Sequence, residues 1–279
     1  MTILRKYVHT FDDIETAPFD VAAYSRMKHG CMASTRKFAR EMASMLWADE
    51  QTREFLSAST CVVVPPPSAI VPVAGLLLAK HIREEVSDRL VRAGRAPLQY
   101  SRIERDMHYN FDYAEMTAAE RRTLLSGHGR YIACDYLRGK RALFVDDVRI
   151  TGTHEEKIEH LLRQRQLDTE VDYGFVAYAQ YSGLDATIEH HLNRAHIRTA
   201  SQLLKLATCT EWACTTRAVR LFLSEEPGTF LDLLGLAPFP VVRAVYHAAI
   251  VKGYHSHAPF AASFAVLQQQ YDAMCPSAE

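Results

Sequence analysis

Short apolar stretches alternate along this chain with longer amphipathic ones. Cys61–Val64 (CVVV) is a β-branched run, Leu98–Ile103 is a second extended stretch, Ala142–Val145 (ALFV) a third and Val171–Tyr178 a fourth. Runs this short, without strict alternation, suit strands buried on both faces of a parallel sheet. A last short strand is expected at Ala195–Ala200, and residues 1–20 read as a loop or an edge strand. Between these lie helical patterns. From Asp20 to Ala48, Phe38, Met42, Met45 and Leu46 recur at helical spacing, with Gly30 dividing the stretch. Val73–Arg92 carries its charges on one face and is closed by Gly94 and Pro97. Ile158, Leu161 and Leu162 mark a helix that runs to about Gln166. Strands alternating with helices through residues 61–200 predict an α/β fold, a mostly parallel sheet of about five strands flanked by helices. From Ser201 only helices are expected: Gln202–Ala207, Glu211–Leu223, Pro227–Leu234, Pro240–Val251 and Phe260–Tyr271. We therefore expect an α/β domain over residues 1–200, including an N-terminal helical segment, and a helical C-terminal extension over 201–279.

Composition narrows the class. Of 279 residues, 48% are hydrophobic and 23% charged, enough to build a sizeable core. The formal net charge of -1 gives no global basic field, so nucleic acid is not the expected partner. The apolar run Ala69–Ala79 is too short to span a membrane and contains Pro72. The opening MTILRKYVHTFDD lacks the apolar core of a signal peptide, so a cytoplasmic location and no membrane partner are expected. The six cysteines form no CxxC pair and read as reduced structural residues.

The chemistry concentrates in Arg141–Ile158, RALFVDDVRITGTHEEKI. An apolar strand runs into Asp146 and Asp147, which are expected to end it. Thr151, Gly152 and Thr153 form a small polar turn, and a helix follows. Such a turn offers free backbone N–H groups, reinforced by the helix dipole and by threonine hydroxyls, as a cradle for a phosphate. Two carboxylates beside an anion site would repel a second phosphate. They suit sugar hydroxyls, or a place near Mg2+. A ribose 5-phosphate with free 2- and 3-hydroxyls asks for all of these together.

VDDVRITGT resembles the 5-phosphoribosyl-1-pyrophosphate (PRPP) motif of type I phosphoribosyltransferases. The resemblance implies that Asp146 and Asp147 hold the ribose hydroxyls and lie near Mg2+, bound indirectly. It implies that Thr151, Gly152, Thr153 and His154 bind the 5-phosphate. Two positions depart from the pattern: Ile150 stands where the purine salvage branch often carries an Asp base, and His154 where many members have Thr or Ala. In that family a loop after the first core strand binds pyrophosphate through its backbone. Pro67, Ser68, Ala69 and Ile70 hold that place here, though a proline-stiffened connection explains them equally well. Arg102 and Arg105, at the end of the second core strand, are candidates for pyrophosphate contacts or plain surface charges. Arg121, Arg122, His128 and Gly129 are similar to the basic loop of orotate phosphoribosyltransferases, while Thr117 and Glu120 form a capping-box pattern that suggests a helix there.

YSRMKHG, Tyr24–Gly30, brings Lys28 and His29 beside a glycine, and reads more as a solvated basic face than as a phosphate contact. Together with the helical tail it resembles the phosphoribosyltransferase-like proteins of bacterial tellurite-resistance and stress gene clusters. The resemblance implies an enzyme that uses PRPP, Mg2+ and a small-molecule base, and it allows a homodimer. Two rivals remain open: a PRPP- or nucleotide-sensing regulator that keeps the cradle without catalysis, and an interaction protein that works through its tail.

Overall fold

The structure, a computed structural model, describes residues 3–58, 60–68, 70–105, 130–132 and 134–275. Its centre is a five-stranded sheet. The strands are β1 (Ile3–Phe11), β2 (Cys61–Val64), β3 (Gln99–Tyr100), β6 (Arg141–Arg149) and β7 (Asp172–Tyr181), in the order β1-β7-β6-β2-β3. Every pairing in it is parallel. A parallel sheet needs cover on both faces, and the side chains comply. Val63, Leu143, Val145 and Val176 pack on one face against α1 (Val21–Lys28), α2 (Met32–Ala48), α3 (Glu50–Leu56) and α4 (Ala74–Arg92). Val62, Val64, Ala142, Phe144 and Phe175 point the other way, onto Ile158, Leu161 and Leu162 of α6 (Thr153–Gln164). The short helix α5 (Cys134–Leu137) precedes β6.

Beyond β7 come α7 (Ile188–Arg194), α8 (Ala200–Cys209), α9 (Thr216–Leu223), α10 (Pro227–Leu236), α11 (Phe239–Val251) and α12 (Ala258–Met274). The last five share their own core, built on Leu203, Phe222, Phe230, Val242, Phe264 and Leu267. Cys31 and Val71 from the sheet side also belong to it.

Four expectations need correction. Ala195–Ala200 is not a strand; it is the bend that joins α7 to α8, and the fifth strand is the N-terminal β1 at the sheet's edge. The stretch Leu98–Ile103 is divided. After Ser101 N–H bonds to the Val63 carbonyl the chain leaves the main sheet, and β4 (Ile103–Arg105) pairs antiparallel with β5 (Arg130–Ile132). There Ile103 is buried with Val62, Val64 and Phe144 in the core on the α6 face of the sheet. Asp146 and Asp147 do not end their strand: β6 continues through them to Arg149, because β7 offers partners that far, pairing Asp146 with Ala177 and Arg149 with Gln180. Finally, Glu211–Thr215 is extended rather than helical, and α9 begins at Thr216 behind a Thr215 cap. The helices α3 and α7 were not anticipated.

Candidate functional site

β6 carries two carboxylates to the carboxyl edge of the sheet and points them at different basic side chains. Asp146 Oδ2 accepts from His154 Nδ1 at 2.6 Å, and its Oδ1 accepts from the Asp147 N–H at 2.8 Å. Asp147 Oδ2 accepts from Lys28 Nζ at 2.5 Å, and its Oδ1 accepts from the Val148 N–H at 2.9 Å. Each of the four oxygens thus has one donor and keeps a second acceptor site. Asp147 is 5% exposed; the Asp146 side chain is 30% exposed, so the outer acid is the one that meets solvent. Burial alone would push Asp146 up, but the charge and hydrogen bond of His154, with the Asp147 N–H and Lys28, hold its carboxyl below the ordinary range. Burial dominates for Asp147 and raises it, Lys28 offsetting this in part and the Asp146 charge adding to it. The first turn of α4 also faces the pair: Gly75 leaves room there, for a Cβ would stand 3.6 Å from Asp146 Oδ1.

Five residues further on, the chain turns from β6 into α6 at Gly152. Its φ of +77° lies in the left-handed region, which favours glycine, and it is the N-cap of α6. The opening N–H groups of the helix point into this turn. Thr151 and Thr153 hydroxyls lie 2.8 Å apart across it. Arg149 supplies what the sequence reading missed. A Cβ on Gly152 would be 2.5 Å from Arg149 Nη2, so the guanidinium lies over the turn itself. Glu155 holds it there, 3.2 Å from Arg149 Nε, and is anchored in turn by Arg5 at 3.1 Å and by the Tyr7 hydroxyl at 3.2 Å. A basic residue two before the turn was the only available signal.

The other predicted residues fare differently. His154 lies at the turn, but its ring serves Asp146, and its Nε2 is buried without a partner. Pro67 is buried, Ser68 is half-buried, Ile70 is 83% exposed, and Ala69 lies outside the described residues. Arg102 is exposed on the bend after β3, two strand positions from β6, or about 10 Å at ordinary strand spacing. The Arg105 side chain lies outside the described residues, as do Thr117, Glu120, Arg121, Arg122, His128 and Gly129. Lys28 and His29 are not on a solvated face. The Lys28 side chain is 11% exposed, because α1 packs it over Tyr24 and against Asp147, and His29 is buried. Among the described residues no three His, Cys, Asp or Glu side chains gather into a metal cluster. The two acids fit Mg2+ only through a ligand's oxygens or water, which complete its shell.

A parallel five-stranded sheet, with an acid pair near the end of its middle strand and a glycine-turned helix N-terminus after it, is the fold of a type I phosphoribosyltransferase. The chain belongs to the PRTase ComF-like family, whose pattern it matches over residues 5–267, through most of α12. Among solved structures it is similar to a hypoxanthine phosphoribosyltransferase from Staphylococcus aureus, at 12% identity over 56% of this chain and 77% of that one, with a TM-score of 0.33. It is similar also to orotate phosphoribosyltransferase from Aeropyrum pernix, at 18% identity over 60% and 82%, TM-score 0.26. A hypothetical protein from Neisseria gonorrhoeae with bound ppGpp is 12% identical over 58% and 93%, TM-score 0.27. At these identities and scores the solved structures add nothing on function. No curated protein matches the chain. Among the described residues no helix is long and apolar enough to cross a membrane.

Proposed function

We propose that this protein transfers a 5-phosphoribosyl group from PRPP to a nitrogen nucleophile, such as a small-molecule base, and releases pyrophosphate. The observation that carries this is the acid pair Asp146–Asp147 set directly before the left-handed turn at Gly152. The two acids accept hydrogen bonds from the 2- and 3-hydroxyls. The turn 151–154 and Arg149 take the 5-phosphate. The nitrogen lone pair forms the new bond to C1 as the C1–O bond to pyrophosphate breaks, and the nitrogen sheds its proton. The breaking electron pair leaves with pyrophosphate, and positive charge collects on the ring. Asp146 and Asp147 place negative charge beside that ring, so their part is positioning and electrostatic stabilisation. Mg2+, held indirectly by Asp146 and Asp147, would neutralise charge on the leaving group when bound. The backbone of residues 67–70 is the proposed pyrophosphate loop. We place the protein in the cytoplasm.

The test measures PRPP binding with Mg2+, and pyrophosphate release across a panel of bases. Asp146→Asn with Asp147→Asn should cost roughly tenfold to a hundredfold per acid, the worth of charge-assisted bonds. A double variant that binds PRPP as the parent does would remove the acids from the ligand site. Tight binding without pyrophosphate release on any base would point instead to a sensor.

A further inference from the structure

The motif YSRMKHG has no part in phosphoribosyl transfer as drawn above, yet it delivers Lys28 to Asp147. Lys28 is the last residue of α1, where the helix leaves its final carbonyls without intrahelical partners. The Lys28 carbonyl, and those of His29 and Gly30 after it, are taken by the extended strap Glu211–Thr215, while those of Ser25, Arg26 and Met27 are met by N–H groups of the turn itself. Thr215 Oγ1 donates to the Lys28 carbonyl at 3.1 Å, Trp212 Nε1 to the His29 carbonyl at 2.7 Å, and the Ala213 N–H to the Gly30 carbonyl at 2.9 Å. The Met32 N–H completes the set by donating to the Glu211 carbonyl at 3.0 Å. Thr215 is fully buried, and the same hydroxyl caps α9. At the strap's far end the Thr216 N–H donates to the Pro72 carbonyl at 2.9 Å, just beyond the proposed pyrophosphate loop.

We propose that the strap Glu211–Thr215 is a positioning element for Lys28, so that the C-terminal helices complete the ribose site rather than form an independent module. It caps the turn from which Lys28 projects, and a shift of that turn would swing the ammonium off the Asp147 carboxylate. The inference rests on the reading that Asp146 and Asp147 hold a ribose 5-phosphate ligand, and two measurements separate the two ideas.

The first uses no ligand. Lysines of the full-length protein are labelled with an acylating reagent at neutral pH and followed by peptide mass spectrometry. Lys28 should react at least tenfold more slowly than the exposed Lys37. Thr215→Val and Trp212→Phe should each raise the Lys28 rate at least tenfold, with Thr215→Ser restoring protection. Unchanged Lys28 reactivity in both variants, folded by circular dichroism, would overturn the strap's role.

The second titrates PRPP with Mg2+ in a double-mutant cycle. Lys28→Met and Thr215→Val should each weaken binding about tenfold. Thr215→Val should cost less than twofold more in the Lys28→Met background, because it acts through Lys28. Full additivity of the two losses would overturn the inference by marking Thr215 as structural only. If instead the strap variants unmask Lys28 while the parent protein ignores PRPP, the reading of the acids falls, and the strap's part in binding falls with it.

Discussion

His154 Nδ1 stands 2.6 Å from Asp146 Oδ2, so the first turn of α6 reaches back to the strand that feeds it. On the proposed reading, His154 acts on the sugar end of the site through Asp146 rather than on the phosphate. His154→Ala should weaken ribose 5-phosphate several-fold and 2-deoxyribose 5-phosphate much less. Comparable losses on both ligands would return the ring to the phosphate.

Arg149 lies over the turn at Gly152 and is held by Glu155. Removing its charge should be felt only by ligands that carry a phosphate. Arg149→Met is expected to weaken ribose 5-phosphate about tenfold, the worth of one charge-assisted hydrogen bond. Calorimetric titration of ribose 5-phosphate checks the loss, and an unaltered affinity would take Arg149 out of the cradle.

Gly152 holds φ +77°. A β-branched residue strains that backbone and meets the Arg149 guanidinium, so Gly152→Val should abolish binding of ribose 5-phosphate ligands. Thr153→Ala removes one hydroxyl and leaves the N–H groups, so its loss should be smaller. The reverse order in a thermal-shift titration would mean that side chains, not backbone, hold the phosphate.

His29 is buried and donates its Nδ1–H to the Ser25 carbonyl. Burial first, then the positive charges of Arg217 and Lys28, push it down to about 3. In the unfolded chain it titrates near 6.5. Between those values the unfolded state binds a proton that the folded state refuses, so stability is present above about 6.5 and falls as pH drops toward 3. The slope from this residue is on the order of 1.4 kcal/mol per pH unit. Urea unfolding at pH 7, 5.5 and 4.5 should show a steeper loss for the parent than for His29→Gln. Parallel slopes would place a charged His29 in the folded protein.

Gly30 has φ +99°, and a side chain there would run into the Ala213 carbonyl of the strap. Backbone cannot yield as a side-chain tip does. Gly30→Ala should cost about 2–4 kcal/mol, from the strained φ and the clash together. Denaturant unfolding measures it, and a cost under about 1 kcal/mol would show that the strap is free to move away.

The sequence by itself determined the alternation of strand and helix, the central strand with its two acids, and the turn at Thr151–Thr153. These are local features: an apolar run suited to burial on both faces, a glycine where only glycine is comfortable, an amphipathic helix after it. The strand Cys61–Val64 was legible to the residue for the same reason. What the sequence could not yield depends on distant partners. Residues 1–20 stood open between a loop and an edge strand, and β7 alongside decides for the strand β1; β6 runs past its acids because β7 does too. Lys28 and Asp147 are 119 residues apart in the chain, and nothing local to YSRMKHG tells a solvated lysine from one folded onto a carboxylate. Only the packing of α1 over the sheet edge, capped by the strap before α9, decided that. Charges read singly along a chain look like surface; the tertiary structure removes them from water, and burial forces them to pair.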